Sequence, residues 1–227
     1  MSKFSPTPIA TGPEPVTQPP RKVHVIIAAH PRQRSFTLSM ARGYAEAVEA
    51  HGGRVIMRDL YRMRFDPLLH AQEMPDHPGF GPRPDVEAER RLIADAHVYA
   101  FFYPLWFNSA PAMIKGYVER VFGMGFAYSP FGLGGNRPLL SDRFMVTFTS
   151  TGAPQDWVEE SGAWDAMRTH FDDHLSAVTG LQNLGHHNFG RVRPGMGEAA
   201  VRARLSELDL LTETIMHGGA IGMAPDR

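Results

Sequence analysis

The architecture of this chain follows from the stretch Tyr103-Pro-Leu-Trp-Phe-Asn-Ser-Ala-Pro-Ala-Met-Ile-Lys-Gly-Tyr-Val-Glu-Arg-Val-Phe122. The run before it, residues 97–102, is apolar, aromatic and short, which predicts a buried strand. Pro104 predicts the end of that strand, because proline cannot donate to a sheet ladder. Pro111 predicts the start of a helix, where a missing N–H costs nothing. The stretch is therefore a strand, a loop and a helix.

The loop of this stretch carries two large aromatic residues and an amide, namely Trp106, Phe107 and Asn108. In an open α/β sheet, ligands bind beyond the carboxyl ends of the strands. Soluble proteins rarely leave such aromatics in a loop without a use for them. The alternative is a loop that folds back and packs its aromatics on the core.

Composition sets limits on the class of protein. The chain has 227 residues, is 43% hydrophobic and 21% charged, and carries a formal net charge of −1. The length fits one α/β domain, and the balanced charge argues against binding to nucleic acid or to an anionic membrane. The lack of Cys excludes disulfides, thiolate metal sites and Cys nucleophiles. No apolar run approaches the ~20 residues of a membrane span, and no secretory signal is visible. We therefore expect a cytoplasmic protein.

The chain divides into a tail and one domain. Residues 1–20 are rich in Pro and Thr and have no periodicity, so we expect a disordered tail. Residues 21–227 alternate predicted strands with helices, the five strands being 23–29, 54–60, 97–102, 143–149 and 181–189. Asp85 is expected to cap a helix over 86–94. This order predicts a three-layer, doubly wound α/β fold with a five-stranded parallel sheet.

The loop after the first predicted strand is suited to anions. It runs from His30 to Thr37 and contains two arginines, with Ser35 as the expected N-cap of the following helix. Backbone N–H groups point outward at a helix N-terminus, and the helix dipole favours negative charge there. Neither a GxGxxG fingerprint nor a P-loop pattern is present. An ordinary capped helix with solvated arginines is the alternative.

A third loop, residues 149–154, follows the fourth predicted strand and consists mainly of small residues. Small residues allow a planar ligand to approach main-chain N–H groups. Anion donors, aromatic walls and small residues therefore meet at one sheet edge, which suits a flat ring system attached to a phosphate. No metal site is expected, because the adjacent His186 and His187 face opposite ways in a strand. We interpret both as structural.

With these three loops, the chain resembles the flavodoxin-like NAD(P)H:quinone oxidoreductases. The motifs that carry the resemblance are His30 with residues 35–37, the run 103–116 with 119–121, then 125–128 and 150–153. The resemblance implies strand order 2-1-3-4-5, bound FMN or FAD, and a homodimer. It also implies that NAD(P)H passes a hydride to flavin N5, and that a quinone then takes the hydride in a ping-pong reaction.

The resemblance also implies the site residues. The expected cofactor-binding residues are His30, Arg34, Ser35, Phe36, Thr37, Pro104, Leu105, Trp106, Phe107, Asn108, Ser150, Thr151, Gly152 and Ala153. The main-chain amides of residues 150–153 are the expected donors to the reduced ring. The expected substrate-binding residues are Phe126, Tyr128 and Trp157, with Tyr128 reaching in from the partner subunit.

This chain departs from the family pattern at two points. Gly152 is followed by Ala153 where better-known members have a second Gly, and Trp157 lies near a position that is Tyr in those members. A His expected farther along has no counterpart. Trp157 is therefore the only candidate catalytic residue.

Three other functions remain open from the sequence. An azo or nitro compound could be the electron acceptor instead of a quinone. The protein could also be a flavin-binding, redox-sensing regulatory subunit of an ion-efflux system. An electron-carrier flavodoxin fits less well, because the charge is balanced and the aromatic loops are long.

Overall fold

Five parallel strands form the central sheet of this computed structural model, which describes residues 22–131 and 135–221. The seven strands of that part of the chain are β1 Val23–Ala28, β2 Arg54–Asp59, β3 Val98–Pro104, β4 Tyr128–Phe131, β5 Gly135–Pro138, β6 Phe144–Ser150 and β7 Gln182–Phe189. The sheet order is β2-β1-β3-β6-β7, and β4 pairs with β5 in a separate antiparallel hairpin. The predicted order 2-1-3-4-5 is confirmed. The expected tail, residues 1–20, lies outside the described residues.

Helices cover both faces of the sheet, which confirms the three-layer prediction. They are α1 Phe36–Ala50, α2 Pro84–Ile93, α3 Ala112–Val121, α4 Gln155–Glu160, α5 Ala163–Arg168, α6 His174–Thr179 and α7 Glu198–Met216. A short 3₁₀ helix spans Ala71–Glu73 and a π-helical turn spans Thr169–Asp173. One core cluster joins the sheet to α1 and α7, and the other joins it to α2, α3 and the residues around the π-helical turn.

Successive side chains of a strand point to opposite faces of the sheet, and here both faces are covered by helices. Every residue of β1 is buried, with Val25 and Ile27 in one core cluster and Ile26 and Ala28 in the other. A strand covered on both faces is apolar throughout, as parallel strands are. None of the helices in the described ranges is both long and apolar enough to cross a membrane.

One local prediction was confirmed and one was wrong. Pro104 ends β3 as its last residue, opposite Ser150 of β6. Pairing with β1 has already ended at Phe102, so the N–H that proline lacks is not needed on that side. Asp85 does not cap α2, because the helix begins at Pro84 and Asp85 instead forms an ion pair with Arg120 at 2.9 Å.

Candidate active site

A cleft of about 650 Å³ opens at the carboxyl edge of the sheet. Its walls come from the segments that follow β1, β3, β6 and β7, as the geometry of a doubly wound sheet requires. Eleven of the residues expected at a cofactor line it, namely His30, Arg34, Ser35, Phe36, Thr37, Pro104, Leu105, Trp106, Ser150, Thr151 and Gly152. The three loops singled out in the sequence therefore do come together.

The N-terminus of α1 forms one wall. Ser35 is the N-cap, as predicted, and its side-chain oxygen accepts from Leu38 N–H at 3.3 Å. The N–H groups of Phe36 and Thr37 lie in the first helical turn, where no intrahelical acceptor exists. Both residues line the cleft, so these donors and the positive end of the dipole serve an anion.

His30 lies at the start of this wall, in contact with Trp106 at a ring-centroid distance of 6.1 Å. Burial, reinforced by the positive charges of Arg32 and Arg62, lowers the pKa of His30. His30 Nδ1 lies 3.0 Å from Arg32 N and 3.2 Å from Arg32 O, so it can accept from the N–H or donate to the carbonyl. In the tautomer in which Nδ1 accepts, Nε2 carries the proton and can donate.

The charge lining the cleft is strongly positive. Four guanidinium groups border it, those of Arg32, Arg34, Arg42 and Arg193. Within residues 22–131 and 135–221, no Asp or Glu lines the cleft. Arg binds phosphate through a planar fork of donors. The cleft is therefore suited to a ligand with at least one phosphate.

The aromatic loop after β3 folds into a tight hairpin turn. Trp106 and Ser109 exchange two main-chain hydrogen bonds of 3.1 Å each. The two residues between them have left-handed backbones, with φ of 52° for Phe107 and 54° for Asn108. The turn presents Trp106 to the cleft, leaves Phe107 fully exposed at its tip, and lets Asn108 Nδ2 donate to Ala163 O at 2.9 Å. Phe107 and Asn108 therefore do not line the cleft.

The loop after β6 is bound tightly to its neighbours. Leu105 N–H donates to Ser150 O at 2.8 Å, and Thr151 N–H donates to Phe189 O at 3.1 Å. Ala153 N–H points to Thr151 Oγ1 at 3.3 Å, and Ala153 does not line the cleft. Thr151 N–H and Ala153 N–H each have a hydrogen-bond partner, whereas Gly152 N–H has none among the described residues. The expected row of amide donors thus reduces to one at this loop.

The sequence analysis missed the fourth wall. It consists of residues 192–196, directly after β7, and Arg193 adds its charge there. Ser39, Arg42 and Val201 also border the cleft without having been predicted. The signal was present, because residues 190–195 read Gly-Arg-Val-Arg-Pro-Gly just past a strand end, where the same ligand rule applies.

The expected substrate residues lie outside the cleft. Tyr128 borders a second hollow, of about 510 Å³, between α3 and residues 170–179. Phe126 packs edge-on against Phe122 at 6.0 Å. Trp157 lies on α4 with 57% of its surface exposed. Within one subunit, the structure does not bring these three side chains to the cofactor loops.

A doubly wound sheet with a phosphate-suited cleft at its carboxyl edge defines a nucleotide-binding α/β protein. More specifically, the chain belongs to the family described as having a flavodoxin-like fold, whose model matches residues 22–210.

Three named proteins are similar to this chain in sequence or in structure. An uncharacterized NAD(P)H oxidoreductase of Haemophilus influenzae is 32% identical over 197 residues, which are 83% of this chain and 96% of that protein. The solved NAD(P)H:quinone oxidoreductase from Methanothermobacter marburgensis is 28% identical with a TM-score of 0.74, over 87% of this chain and 98% of that one. NAD(P)H dehydrogenase [quinone] 1 of Cavia porcellus is 28% identical over 57% of this chain, which spans about half of that protein (53%).

Proposed function

We propose that this protein is a flavin-dependent oxidoreductase that uses NAD(P)H to reduce a quinone by two electrons. The observation that carries the proposal is the cleft, which joins an arginine-rich helix N-terminus to a wall formed by Trp106 and Gly152. The Haemophilus relative is named as an NAD(P)H oxidoreductase and the Methanothermobacter protein as an NAD(P)H:quinone oxidoreductase, and both names support the proposal.

The residues present fit a flavin nucleotide. The phosphate of FMN, or the diphosphate of FAD, would be held by the first-turn amides of α1 and by Arg34 with the neighbouring guanidinium groups. The ring would lie at the Gly152 end, which is open. A Cβ added to Gly152 would meet only Val192 O, at 3.8 Å. Trp106 would provide an aromatic surface beside the ring.

A bound flavin supplies the two-electron chemistry, and the protein supplies binding, orientation and electrostatics. Gly152 N–H is a donor fixed by the fold, and it can stabilise negative charge that develops beside it. Main-chain hydrogen bonds hold the wall around Gly152 in place before any ligand binds. Trp157 stays the candidate for a side chain that assists the reaction, although it reaches the cleft only if α4 moves or a second subunit approaches.

The proposal includes a homodimer and a cytoplasmic location. Phe126 and Tyr128 lie away from the cleft of their own subunit, so they could complete a quinone site only in a second subunit. NAD(P)H is produced and consumed in the cytoplasm, which makes that the natural location of the enzyme.

The test of the proposed function begins with the protein as purified. We expect flavin absorbance, release of FMN or FAD identified by mass, and turnover of NADH or NADPH with a quinone. Initial rates should give the parallel double-reciprocal plots of a ping-pong reaction. Protein that neither contains nor takes up flavin would refute the proposal. Flavin binding without turnover would favour the regulatory subunit, and faster reduction of an azo or nitro compound would favour those acceptors.

A matched pair of variants tests the phosphate end of the cleft. Arg34→Gln should weaken flavin binding roughly tenfold, because a hydrogen bond to a charged group contributes about 1.5–3 kcal/mol. Arg202→Gln is the control, since Arg202 is an exposed residue of α7 paired with Glu198 at 3.4 Å. Equal flavin affinity in both variants would place the phosphate elsewhere.

A further inference from the structure

A network of polar side chains, all buried except Gln155, lies next to the 150–153 wall of the cleft. We call it the His186 network, and its members are Thr147, Thr149, Gln155, Asp172, His186 and Asn188. The side chains of His186 and Asp172 are completely buried, and His186 Nδ1 lies 2.6 Å from Asp172 Oδ2. Neither residue contributes to the cleft chemistry described above. Burying such groups is costly unless each is hydrogen-bonded, so the network needs an explanation.

The network ties together both ends of the loop that forms the wall. Thr149 precedes the loop, and its Oγ1 donates to Asn188 Oδ1 at 3.0 Å. Gln155 follows the loop, and its Oε1 accepts from Asn188 Nδ2 at 2.7 Å. Asn188 of β7 therefore links the two ends through one amide group. Main-chain hydrogen bonds also hold residues 150–153, and Asn188 adds a side-chain link between the residues on either side of them.

Asp172 and His186 hold Thr149 from the other side. Thr149 Oγ1 lies 2.8 Å from His186 Nε2, and Asp172 Oδ1 accepts from Thr147 Oγ1 at 2.6 Å. Asp172 is carried by the π-helical turn Thr169–Asp173, a distortion that often occurs at functional sites. The ring of Trp164 packs on His186 at 5.0 Å. These contacts leave the imidazole little freedom to rotate.

The direction of each hydrogen bond follows from one end of the network. The Glu159 carboxylate can only accept, so Gln155 Nε2–H donates to it at 2.9 Å. Gln155 Oε1 then accepts from Asn188, whose own oxygen is left to accept from Thr149 O–H. Because Thr149 has a single proton, its oxygen must accept from His186 Nε2–H.

This direction fixes how many protons the buried pair holds. His186 Nε2 carries one proton, and the 2.6 Å contact between His186 Nδ1 and Asp172 Oδ2 requires another. The pair thus holds one proton more than a carboxylate beside a neutral imidazole. It is therefore electrically neutral as a whole, which is the state that burial favours.

We propose that His186, held by Asp172, is a positioning residue for the 150–153 wall, and that it acts by donating from Nε2 to Thr149 while sharing a second proton with Asp172. The proposal rests on the proposed function only in taking the ligand of that wall to be a flavin. The hydrogen-bond direction is independent of any ligand.

The other titratable groups around His186 are few. Tyr103 of β3 is fully buried, and burial together with the charge of Asp172 raises its pKa, so it remains an uncharged phenol. His187 is adjacent on β7 but faces the opposite side of the sheet, where its Nε2 lies 3.0 Å from Glu207 Oε1. Two neighbouring histidines thus have different surroundings, which provides an internal control.

The first experiment measures protonation directly. In protein labelled with ¹⁵N at histidine, we expect His186 Nε2 to carry a proton at pH 8, with a strongly deshielded proton in the bond to Asp172. His186→Gln identifies the signals by their loss. A bare Nε2 at pH 8 would overturn the proposal, since Thr149 would then donate to His186. This result does not depend on whether the protein binds flavin.

The second experiment measures positioning. His186→Gln should raise the Kd for FMN or FAD roughly tenfold, whereas His187→Gln should leave it unchanged. Thr149→Val should give the same loss and Thr149→Ser should restore affinity, which keeps the test valid if His186→Gln does not fold. Unchanged Kd in Thr149→Val would overturn the proposal. A wild-type protein that binds no flavin would instead refute the proposed function, leaving the nitrogen signals to decide the hydrogen-bond direction.

Discussion

At the scale of single residues, Phe107 shows backbone strain combined with full exposure. Left-handed backbone costs a non-glycine residue roughly 1–2 kcal/mol, and Phe107 has φ of 52° with nothing covering its ring. Replacing Phe107 with Gly should therefore stabilise the fold by up to about 1 kcal/mol, after the entropy that Gly loses on folding. Urea unfolding measures the change.

Leu68→Gly is the control for this prediction, because Leu68 is another exposed apolar residue but has no positive φ. That variant should lose stability. If Phe107→Gly is no more stable than wild type, the turn is not strained. A stabilised variant with weaker quinone turnover would indicate that Phe107 is kept for function, as strained residues at sites often are.

His24 should make the fold sensitive to acid. Burial, reinforced by the charges of Lys22 and His97, lowers the pKa of His24 to about 4. In the unfolded chain the pKa returns to about 6.5, so between these values the unfolded state binds more protons. Stability should thus be complete above pH 7 and fall as the pH drops from 6.5 towards 4. The loss should reach roughly 3 kcal/mol, since one pKa unit is worth about 1.4 kcal/mol.

Unfolding in urea at several pH values between 4 and 8 tests this dependence. His24→Gln retains a partner for the Tyr44 hydroxyl, which lies 2.8 Å from His24 Nδ1, but does not titrate. Its stability should change less between pH 7 and pH 4 than that of wild type. Parallel curves for the two proteins would show that His24 is not the group responsible.

At the scale of elements, α3 packs against the segment after β2 without any gap. A Cβ on Gly116 would lie 2.1 Å from Pro67 O, which is backbone and cannot move aside. Gly116→Ala should therefore destabilise the protein by roughly 1–3 kcal/mol through overpacking, although Ala favours helices by about 1 kcal/mol. Gly43→Ala in α1 is the matched control, since its Cβ would make only ordinary contacts, with Leu208 Cδ2 at 3.7 Å and Leu205 Cδ2 at 3.9 Å.

Gly43→Ala should be stabilising by up to about 1 kcal/mol, the difference in helix propensity. Midpoints of urea unfolding for the two variants should therefore move in opposite directions. A shift of both midpoints to higher urea would mean that the backbone around Pro67 can move to accommodate the added Cβ.

The elements that the sequence could predict are those with a strong local pattern. Of the five parallel strands, β1 and β3 have nearly continuous apolar runs, and the alternation of strands with helices predicts a parallel sheet. The order of the strands in that sheet is what the family resemblance implied. The hairpin β4–β5 was missed because residues 123–138 are rich in Gly and Pro and include no alternation of apolar and polar residues. The π-helical turn at 169–173 was missed because its sequence is compatible with an ordinary helix.

The candidate site was predictable where a loop directly follows a strand with a clear end. Three of its walls were found in this way. The His186 network could not be found, because it depends on long-range contacts. Thr149, Asp172 and His186 lie on three separate elements, and Asp172 is carried by the π-helical turn. Periodicity identifies faces of elements but not which polar side chains meet across them.

At the scale of the whole molecule, we expect residues 1–20 to be dispensable. Their composition offers few apolar side chains to bury, which is typical of segments outside a core. Protein lacking these residues should match the full chain in thermal stability and in turnover of NAD(P)H. A large loss of either property would mean that this segment contacts the domain or a partner.

An exposed apolar surface is the basis for the subunit arrangement that we expect. Leu69, Met74 and Phe80 are each at least 40% exposed and all border the hollow that contains Tyr128. Apolar residues grouped in this way mark an interaction surface. We expect a second copy of the chain to cover it in an isologous dimer, and Tyr128 reaches the partner's cleft if that interface also includes the rim of the cleft. Light scattering at micromolar concentration should give twice the mass of 25.2 kDa.

A shared site can be tested by mixing two defective subunits. Tyr128→Ala alone should raise the KM for the quinone and leave the flavin content unchanged, because Tyr128 does not line the cofactor cleft. The second subunit carries Arg34→Gln with Trp106→Ala, so that it retains no flavin. In the heterodimer, the only flavin lies on the Tyr128→Ala subunit but faces an intact Tyr128. The heterodimer should therefore have the normal KM. With random pairing, about half of the flavin-containing sites in the mixture lie in heterodimers. A monomeric protein, or a mixture in which KM stays high, would mean that each subunit builds its quinone site alone.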